Sequence, residues 1–181
     1  MYIFNSKIDL QKHLNKLSSI YTVGFTPTMG ALHSGHIGLI SQSIKKCDIT
    51  ICSIFVNPTQ FNNNEDLKNY PNTLEADLTK LKKIGCNITY VPTISDLYKA
   101  GEKAKIYDFG SLTASMEGEF RPGHFNGMAT IVEKLFRIIN PTIAFFGQKD
   151  LQQLYVVKSL VKKTNLDILI EGVPTVREKN G

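Results

Sequence analysis

Short runs of β-branched and aromatic residues alternate along the chain with stretches in which apolar residues recur every three or four positions. Runs of the first kind predict strands, and several are apolar throughout, as strands covered on both faces are. Five strands are predicted, at 21–27, 48–58, 86–92, 142–147 and 166–173. Strands that alternate with helices are typical of a parallel sheet with helices on both faces, so the pattern predicts an α/β fold.

The stretches of helical period predict four helices. Their apolar faces carry Ile37, Ile40 and Ile44; Leu74, Leu78 and Leu81; Met128, Ile131, Val132 and Leu135; and Leu151, Leu154 and Val161. Ser34 is predicted to cap the first helix, while Asn72 and Glu75 would form a capping box for the second, which Gly85 would end. The asparagine-rich segment 61–71 is predicted to be a mobile loop beside a strand end.

The length of 181 residues is that of one ordinary domain, and 42% hydrophobic with 20% charged residues is a globular composition. No apolar run reaches the ~18–20 residues of a membrane span and no signal peptide is evident, so we expect a cytoplasmic protein without a membrane partner. The net charge of +5 comes from dispersed lysines, so a nucleic-acid partner is not expected. Cys47, Cys52 and Cys86 lack the number and spacing of a disulfide framework or zinc site, and are interpreted as small buried hydrophobes.

The segment TPTMGALHSGHIGLI, at 26–40, places His33 and His36 between the first predicted strand and the helix that follows. In open α/β sheets ligands bind at the carboxyl ends of strands, and a helix N-terminus attracts anions. Both imidazoles could donate hydrogen bonds to one phosphate chain, and Gly30 and Gly35 would let it approach the backbone. The alternative is that both histidines are only exposed polar residues at a helix start. Zinc is disfavoured because no third ligand lies nearby.

Six segments carry a resemblance to a known family. They are PTMGALHSGH, FVNPTQF, YPNTLEADL, RPGHFNGMATIV, FFGQKDLQQL and VPTVRE, in this order over almost the whole chain. They resemble the pantothenate synthetase (pantoate–β-alanine ligase) family, and HSGH resembles the HxGH signature of the wider nucleotidyltransferase superfamily. The resemblance implies a Rossmann-like, doubly wound sheet. It also implies an AMP-forming C–N ligase of pantothenate biosynthesis that joins pantoate to β-alanine through an enzyme-bound pantoyl adenylate and releases pyrophosphate.

The same resemblance implies the site. The family's ATP-binding positions fall on Met29, Gly30, Ala31, Leu32, His33, Ser34, Gly35, His36, Gly147, Gln148, Lys149, Asp150 and Val176. Among these, His36 is the expected catalytic residue, with His33 and Lys149 beside it. Gln60, Gln153 and Asn57 fall on contacts to pantoate and β-alanine. The substrates would be ATP, pantoate and β-alanine, with Mg²⁺ accompanying ATP and no bound organic cofactor, in a homodimer.

Several of these residues also have plain structural interpretations. Met29 alone would be core packing, Gln60 a surface loop residue and Val176 a buried valine at a strand end.

In the segment 147–150, Lys149 could supply a mobile cation for the phosphates. Asp150 could cap a helix, contact ribose or help to hold magnesium, and no other protein ligand for the metal is assigned. Gln148 stands where the family commonly has Glu.

A second group of polar residues lies on the predicted rim loop at 116–127. It comprises Glu117, Glu119, Arg121 and His124, and no catalytic role is assigned to them.

The chain is predicted to form one domain at 1–175 that binds ATP and pantoate. Residues 176–181 would begin the connection to a second domain that the family carries.

Two other functions are considered. A related nucleotidyltransferase acting on a phosphorylated acceptor would need basic residues where Gln60 and Gln153 offer amides, and the chain could also be a catalytically silent nucleotide-binding module.

Overall fold

A single parallel sheet of six strands forms the centre of the protein. The computed structural model describes residues 1–17, 20–61 and 63–177. The strands are β1 (Tyr2–Phe4), β2 (Val23–Thr28), β3 (Ile49–Ile54), β4 (Ile88–Tyr90), β5 (Ile143–Gly147) and β6 (Leu169–Val173). They lie in the order β1-β4-β3-β2-β5-β6, and every neighbouring pair is parallel. The predicted α/β fold and its five strands are confirmed, and β1 was missed.

Helices connect the strands. They are α1 (Lys7–Leu14), α2 (Ser34–Lys46), α3 (Asn64–Lys68), α4 (Leu74–Ile84), α5 (Ile94–Leu97), α6 (Glu117–Phe120), α7 (His124–Ile139) and α8 (Leu151–Lys163). The four predicted helices are α2, α4, α7 and α8. Within the described residues, no helix is both long and apolar enough to cross a membrane.

Two apolar clusters show that helices cover both faces of the sheet. The larger joins Leu10 of α1, Phe136 of α7 and Leu160 of α8 to one face. The smaller joins Ile40 of α2 and Leu81 of α4 to the other face. In β3, Ile51 belongs to the larger cluster and the next residue, Cys52, to the smaller one, as the two-residue period of a strand requires.

The thiols fit the prediction in part. Cys52 and Cys86 are buried in the smaller cluster, as expected of small hydrophobes, whereas Cys47 is half-buried. Burial raises the pKa of the Cys86 thiol to about 11, which keeps it protonated and unreactive near neutral pH.

Two predicted helix caps, those of α2 and α4, are wrong. Ser34 is not the cap of α2, because His33 occupies that position and accepts a hydrogen bond from the Gly35 N–H. The capping box of Asn72 and Glu75 is also wrong: Thr73 stands at the start of α4 and makes no side-chain cap.

The predicted loop at 61–71 is corrected, and the predicted end of α4 is confirmed. Residues 61–71 are not simply a loop, since α3 begins there after Asn63, whose side chain accepts from the Glu65 N–H. Gly85 does end α4, in the left-handed conformation with φ of 89°.

The strand order places one crevice at the carboxyl end of the sheet. From β2 the chain moves to β3 on one side, and β5 later pairs with β2 on the other side. The segment after β2 leads into α2, and the 3-10 turn Gln148–Asp150 after β5 leads into α8. A ligand site is expected where these two connections diverge.

Candidate active site

A cavity of about 180 Å³ lies at this crevice. It is lined by Pro27, Thr28, Met29, His36, Phe55, Asn57, Gln60, Tyr70, Met128, Ile131, Val132, Leu135, Phe146, Asp150 and Gln153. Six of these were predicted from the sequence, including one histidine and two glutamines that are far apart in the chain. The volume is below the roughly 300–1,000 Å³ of pockets for drug-sized ligands, so it suits a small molecule or part of a larger one.

The two histidines form the start of α2 together. His33 Nδ1 accepts a hydrogen bond from the Gly35 N–H at 3.1 Å, and His36 Nδ1 accepts one from the His33 N–H at 3.3 Å. The ring centroids are 4.1 Å apart. Because both Nδ1 atoms accept from the backbone, the neutral rings carry their protons on Nε2. Each ring can therefore offer an Nε2–H donor at the positive end of a helix of 13 residues.

His36 is held in its neutral form. Its pKa is lowered from the ordinary 6.5 to about 4, first by burial and then by the neighbouring His33. His36 lines the cavity, whereas His33 is more exposed and lies outside its lining. The arrangement gives the cavity a neutral hydrogen-bond donor that needs no ionisation at physiological pH.

The glycines of the turn have protein neighbours. A Cβ on Gly30 would lie 3.2 Å from both Asp77 Oδ2 and Ile54 Cγ2, and its φ is 83°. A Cβ on Gly35 would lie 2.9 Å from His33 Cε1. These protein atoms are sufficient to account for both glycines, and the approach of a ligand to their backbone stays a prediction.

Gln60 sits on a braced loop, the 3-10 turn Pro58–Gln60. The buried Asn57 donates from Nδ2 to the Gly127 carbonyl at 3.1 Å, and its Oδ1 accepts from Thr59 and Tyr98. His124 Nδ1 lies 3.0 Å from the Gln60 carbonyl. Asn57 also lines the cavity, but its amide oxygen already accepts two hydrogen bonds that hold the loop.

His124 was predicted to lie on a rim loop, and the structure corrects this, since α7 begins at His124. It is 4% exposed at the start of α7, and burial is the main cause that lowers its pKa. The neutral ring can donate its Nδ1 proton to the Gln60 carbonyl. Among its rim neighbours, Glu117 and Arg121 form an exposed ion pair at 3.4 Å, of the kind that contributes little to stability.

Adjacent glutamines in α8 have different surroundings. Gln152 donates to the carbonyls of Leu112 and Ser115 and accepts from the Glu117 N–H, so it fastens α8 to the segment before α6. Gln153 instead lines the cavity, as Gln60 does. The structure thus brings both predicted glutamines to one cavity.

The turn after β5 carries the predicted Lys149 and Asp150. Their side chains form an exposed ion pair at 3.3 Å, and Asp150 also lines the cavity. Asp150 occupies the N-cap position of α8 but makes no capping bond, so that prediction is wrong. Gln148 donates to the Gly172 carbonyl at 3.2 Å, a bond that a carboxylate could not make.

Val176 lies beyond β6 and is 48% exposed, so its interpretation as a buried valine is wrong. Its methyl group lies beside the Gly38 position of α2. Gly147 ends β5 at the start of the turn.

Sequence reasoning missed one wall of the cavity. Met128, Ile131, Val132 and Leu135 were identified as the apolar face of α7, and they line the cavity as well as the core. Tyr70 and Phe55 also line it and were not singled out. Helical periodicity shows which side chains share a face but not what that face contacts, so no signal in the sequence distinguished these residues.

The state of His36 leads to a pH prediction. We expect the ring in the ligand-free protein to be neutral at pH 6, with its proton on Nε2 and a titration midpoint near pH 4. Because the folded protein disfavours the proton, the stability that His36 contributes is present above pH 6.5 and lost as pH falls through about 4. Side-chain ¹⁵N NMR, assigned with a His36→Gln variant, measures both properties. An imidazolium at pH 6, or a proton on Nδ1, would contradict the geometry.

Comparisons with known proteins find matches to one family over almost the whole chain. The family model described as Pantoate-beta-alanine ligase matches residues 2–181. The pantothenate synthetase of Flavobacterium psychrophilum is 50% identical over 99% of this chain and 64% of its own length. A Francisella tularensis structure, pantoate-beta-alanine ligase complexed with beta-gamma ATP and beta-alanine, has a TM-score of 0.96 and 40% identity, covering 99% of this chain and 69% of that one. The pantothenate synthetase structure from Thermus thermophilus has a TM-score of 0.92 and 39% identity over 100% of this chain and 64% of that one.

Proposed function

We propose a function on the premise that this chain belongs to the pantoate-beta-alanine ligase family. The chain spans about 64% of the length of the curated relatives it matches, so the proposal concerns the intact protein that contains it. That protein is proposed to condense pantoate with β-alanine at the expense of ATP, with residues 1–175 as the ATP- and pantoate-binding domain. Residues 178–181 lie outside the described residues, and the predicted connection to a second domain stays a prediction.

One observation carries the proposal: His36, Gln60 and Gln153 line a single small cavity. Pantoate is a small hydroxy acid with a pair of methyl groups on its central carbon. The amides of Gln60 and Gln153 can donate to its carboxylate or hydroxyls without adding charge. The apolar wall of α7 suits the methyl groups. Held in this way, the carboxylate would lie beside the donor that faces the ATP phosphates.

The first chemical step is adenylation. An oxygen of the pantoate carboxylate attacks the α-phosphorus of ATP, the bond to the bridging oxygen breaks, and pyrophosphate leaves with the electron pair. His36 and His33, whose Nδ1 atoms already accept from backbone N–H groups, would donate from Nε2–H to the phosphates at the N-terminus of α2. Lys149, whose side chain is 74% exposed, would exchange its surface ion pair with Asp150 for the same phosphates. Negative charge that develops on pyrophosphate is the target of all three groups.

The second step forms the amide. The β-alanine amine attacks the acyl carbon of the adenylate, a proton leaves the nitrogen, and AMP departs. The Francisella tularensis relative is complexed with beta-gamma ATP and beta-alanine, which supports ATP and β-alanine as ligands of this protein.

Magnesium is proposed to arrive with ATP. Within the described residues, no group of three or more His, Cys, Asp or Glu side chains could hold a metal. Mg²⁺ commonly takes one or two carboxylates together with substrate phosphates, and Asp150 on the cavity wall fits that part. The metal would neutralise phosphate charge when bound.

A nucleotidyltransferase with a phosphorylated acceptor fits less well. Among the described residues, the cavity lining includes neither Lys nor Arg, which a bound phosphate ester would need. The amides of Gln60 and Gln153 can instead donate hydrogen bonds to a carboxylic acid.

We further propose that the protein works as a homodimer, as the family resemblance implies. Met116, just before α6, and Phe120, the last residue of α6, are 67% and 81% exposed and could be covered by a second copy. Sedimentation at micromolar concentration tests this, and a monomeric mass would contradict it.

Product analysis tests the function. The intact protein supplied with ATP, Mg²⁺, pantoate and β-alanine should form pantothenate and AMP in equal amounts. Formation of ADP, or nucleotide transfer to a sugar phosphate in place of pantoate, would contradict the proposal. Failure to turn over any of these would support the catalytically silent alternative.

A further inference from the structure

Asp77 of α4 has a fully buried carboxylate that faces the turn after β2. It is 0% exposed. Oδ2 accepts from the Ala31 N–H at 2.8 Å, and Oδ1 accepts from the Leu32 N–H at 2.8 Å. The Thr73 hydroxyl donates to Oδ2 at 2.9 Å. One side chain therefore binds two successive backbone N–H groups of a segment about 45 positions earlier in the chain.

The turn that Asp77 binds has an unusual backbone. Gly30 has φ of 83° and Ala31 has φ of 49°, so two successive residues are left-handed. Alanine disfavours that region because its Cβ crowds the backbone. Contacts from outside the turn must therefore hold it, and the two hydrogen bonds to Asp77 are such contacts.

Lys80 strengthens the same attachment. Its Nζ donates to the Leu32 carbonyl at 2.6 Å and lies 3.9 Å from Asp77 Oδ1. The ammonium group thus compensates the buried carboxylate and binds the turn from the next turn of α4. Both the N–H and the C=O of Leu32 are fixed by one helix.

The turn connects the cavity to the histidines. Met29, immediately before it, lines the cavity, and His33, immediately after it, caps α2. We propose that Asp77 is a positioning residue for ATP: it holds the Gly30–Leu32 turn so that the N-terminus of α2 and the His33 and His36 Nε2–H groups face the phosphates. This inference rests on the proposed function, and Asp77 itself is not proposed to touch substrate.

The Asp77→Asn variant of the intact protein tests the inference. The amide replaces one acceptor oxygen with an NH₂ group that opposes a backbone N–H, so one of the two bonds is lost. We expect kcat/KM for ATP to fall by about 10–100-fold, the range for leaving a buried donor unpaired. KM for pantoate should stay within about twofold of wild type, because the hydrogen bonds of Asn57 and His124 that hold the Gln60 turn do not involve Asp77. The ¹⁵N shifts of His36 should also move, because its hydrogen bond depends on the turn.

Glu75→Gln is the matched control, since it makes the same chemical change on an exposed residue of the same helix. It should leave both KM values unchanged. Equal changes in ATP and pantoate KM for Asp77→Asn, or wild-type kinetics, would overturn the inference. If Asp77→Asn does not fold, Thr73→Val decides: it removes only the hydroxyl bond and should raise ATP KM selectively, and an unchanged ATP KM would overturn the inference. An inactive wild type and Glu75→Gln would instead overturn the proposed function.

Discussion

Replacing His36 with alanine in the intact protein is expected to lower kcat by ~10²–10³, the usual effect of removing one donor that stabilises developing charge. The ring is neutral and directs Nε2–H away from the helix backbone, so its contribution grows as charge builds on the leaving pyrophosphate. KM for pantoate should change little, because the acid is bound by other side chains. Steady-state kinetics with each substrate varied separately measures this division.

His13→Ala is the matched control for His36. Its ring packs against Tyr2 and Phe4, with centroid distances of 4.6 and 5.2 Å, and it is not part of the cavity lining. It should leave kcat unchanged. A rise in substrate KM for His36→Ala without loss of kcat would assign His36 to ground-state binding and contradict the adenylation mechanism.

Gly127→Ala should reduce kcat/KM for pantoate by ~10²-fold, the effect of displacing a substrate-positioning group by about 1 Å. A Cβ at this position would overlap the Thr59 carbonyl and lie 2.8 Å from the Gln60 Cα. Backbone cannot rotate away as a side chain can, so the 3-10 turn that carries Gln60 must move. ATP saturation should be affected much less.

Two comparisons separate this effect from a loss of stability. Gly85→Ala strains a left-handed glycine, with φ of 89°, at the other end of the strands, and should lower the melting temperature without changing pantoate KM. Gln60→Ala should weaken pantoate binding by ~5–150-fold, equivalent to the ~1–3 kcal/mol of an unpaired polar group. If Gly127 acts through Gln60, the double variant should be no worse than the more impaired single variant. Additive losses would show that Gly127 acts elsewhere.

The parts of the fold that could be predicted are those with a strong apolar period. The strands β2 to β6 and the helices α2, α4, α7 and α8 each bury such a pattern. β1 was missed because it is a three-residue strand at the sheet edge whose Tyr2 and Ile3 are 61% and 47% exposed. α3 was missed because its five residues, NEDLK, include a single apolar side chain, Leu67.

Some residues of the candidate site could be predicted from the sequence and others could not. His36 was singled out because it follows a strand, where a parallel sheet places ligands, whereas Gln60 and Gln153 were assigned through the family resemblance; all three line the cavity. Histidine as the cap of α2 was missed because capping is usually associated with Ser, Thr, Asp and Asn. Asp77 was missed because its partners lie far away in the chain, and a carboxylate on a helix is ordinarily expected to be exposed.

The most direct test of the central claim is exchange of labelled pyrophosphate into ATP by the intact protein. If a pantoyl adenylate forms before the amine attacks, exchange requires ATP, Mg²⁺ and pantoate but proceeds without β-alanine. The account predicts this dependence, with exchange lost in His36→Ala. Exchange without pantoate, or exchange only when β-alanine is present, would contradict it.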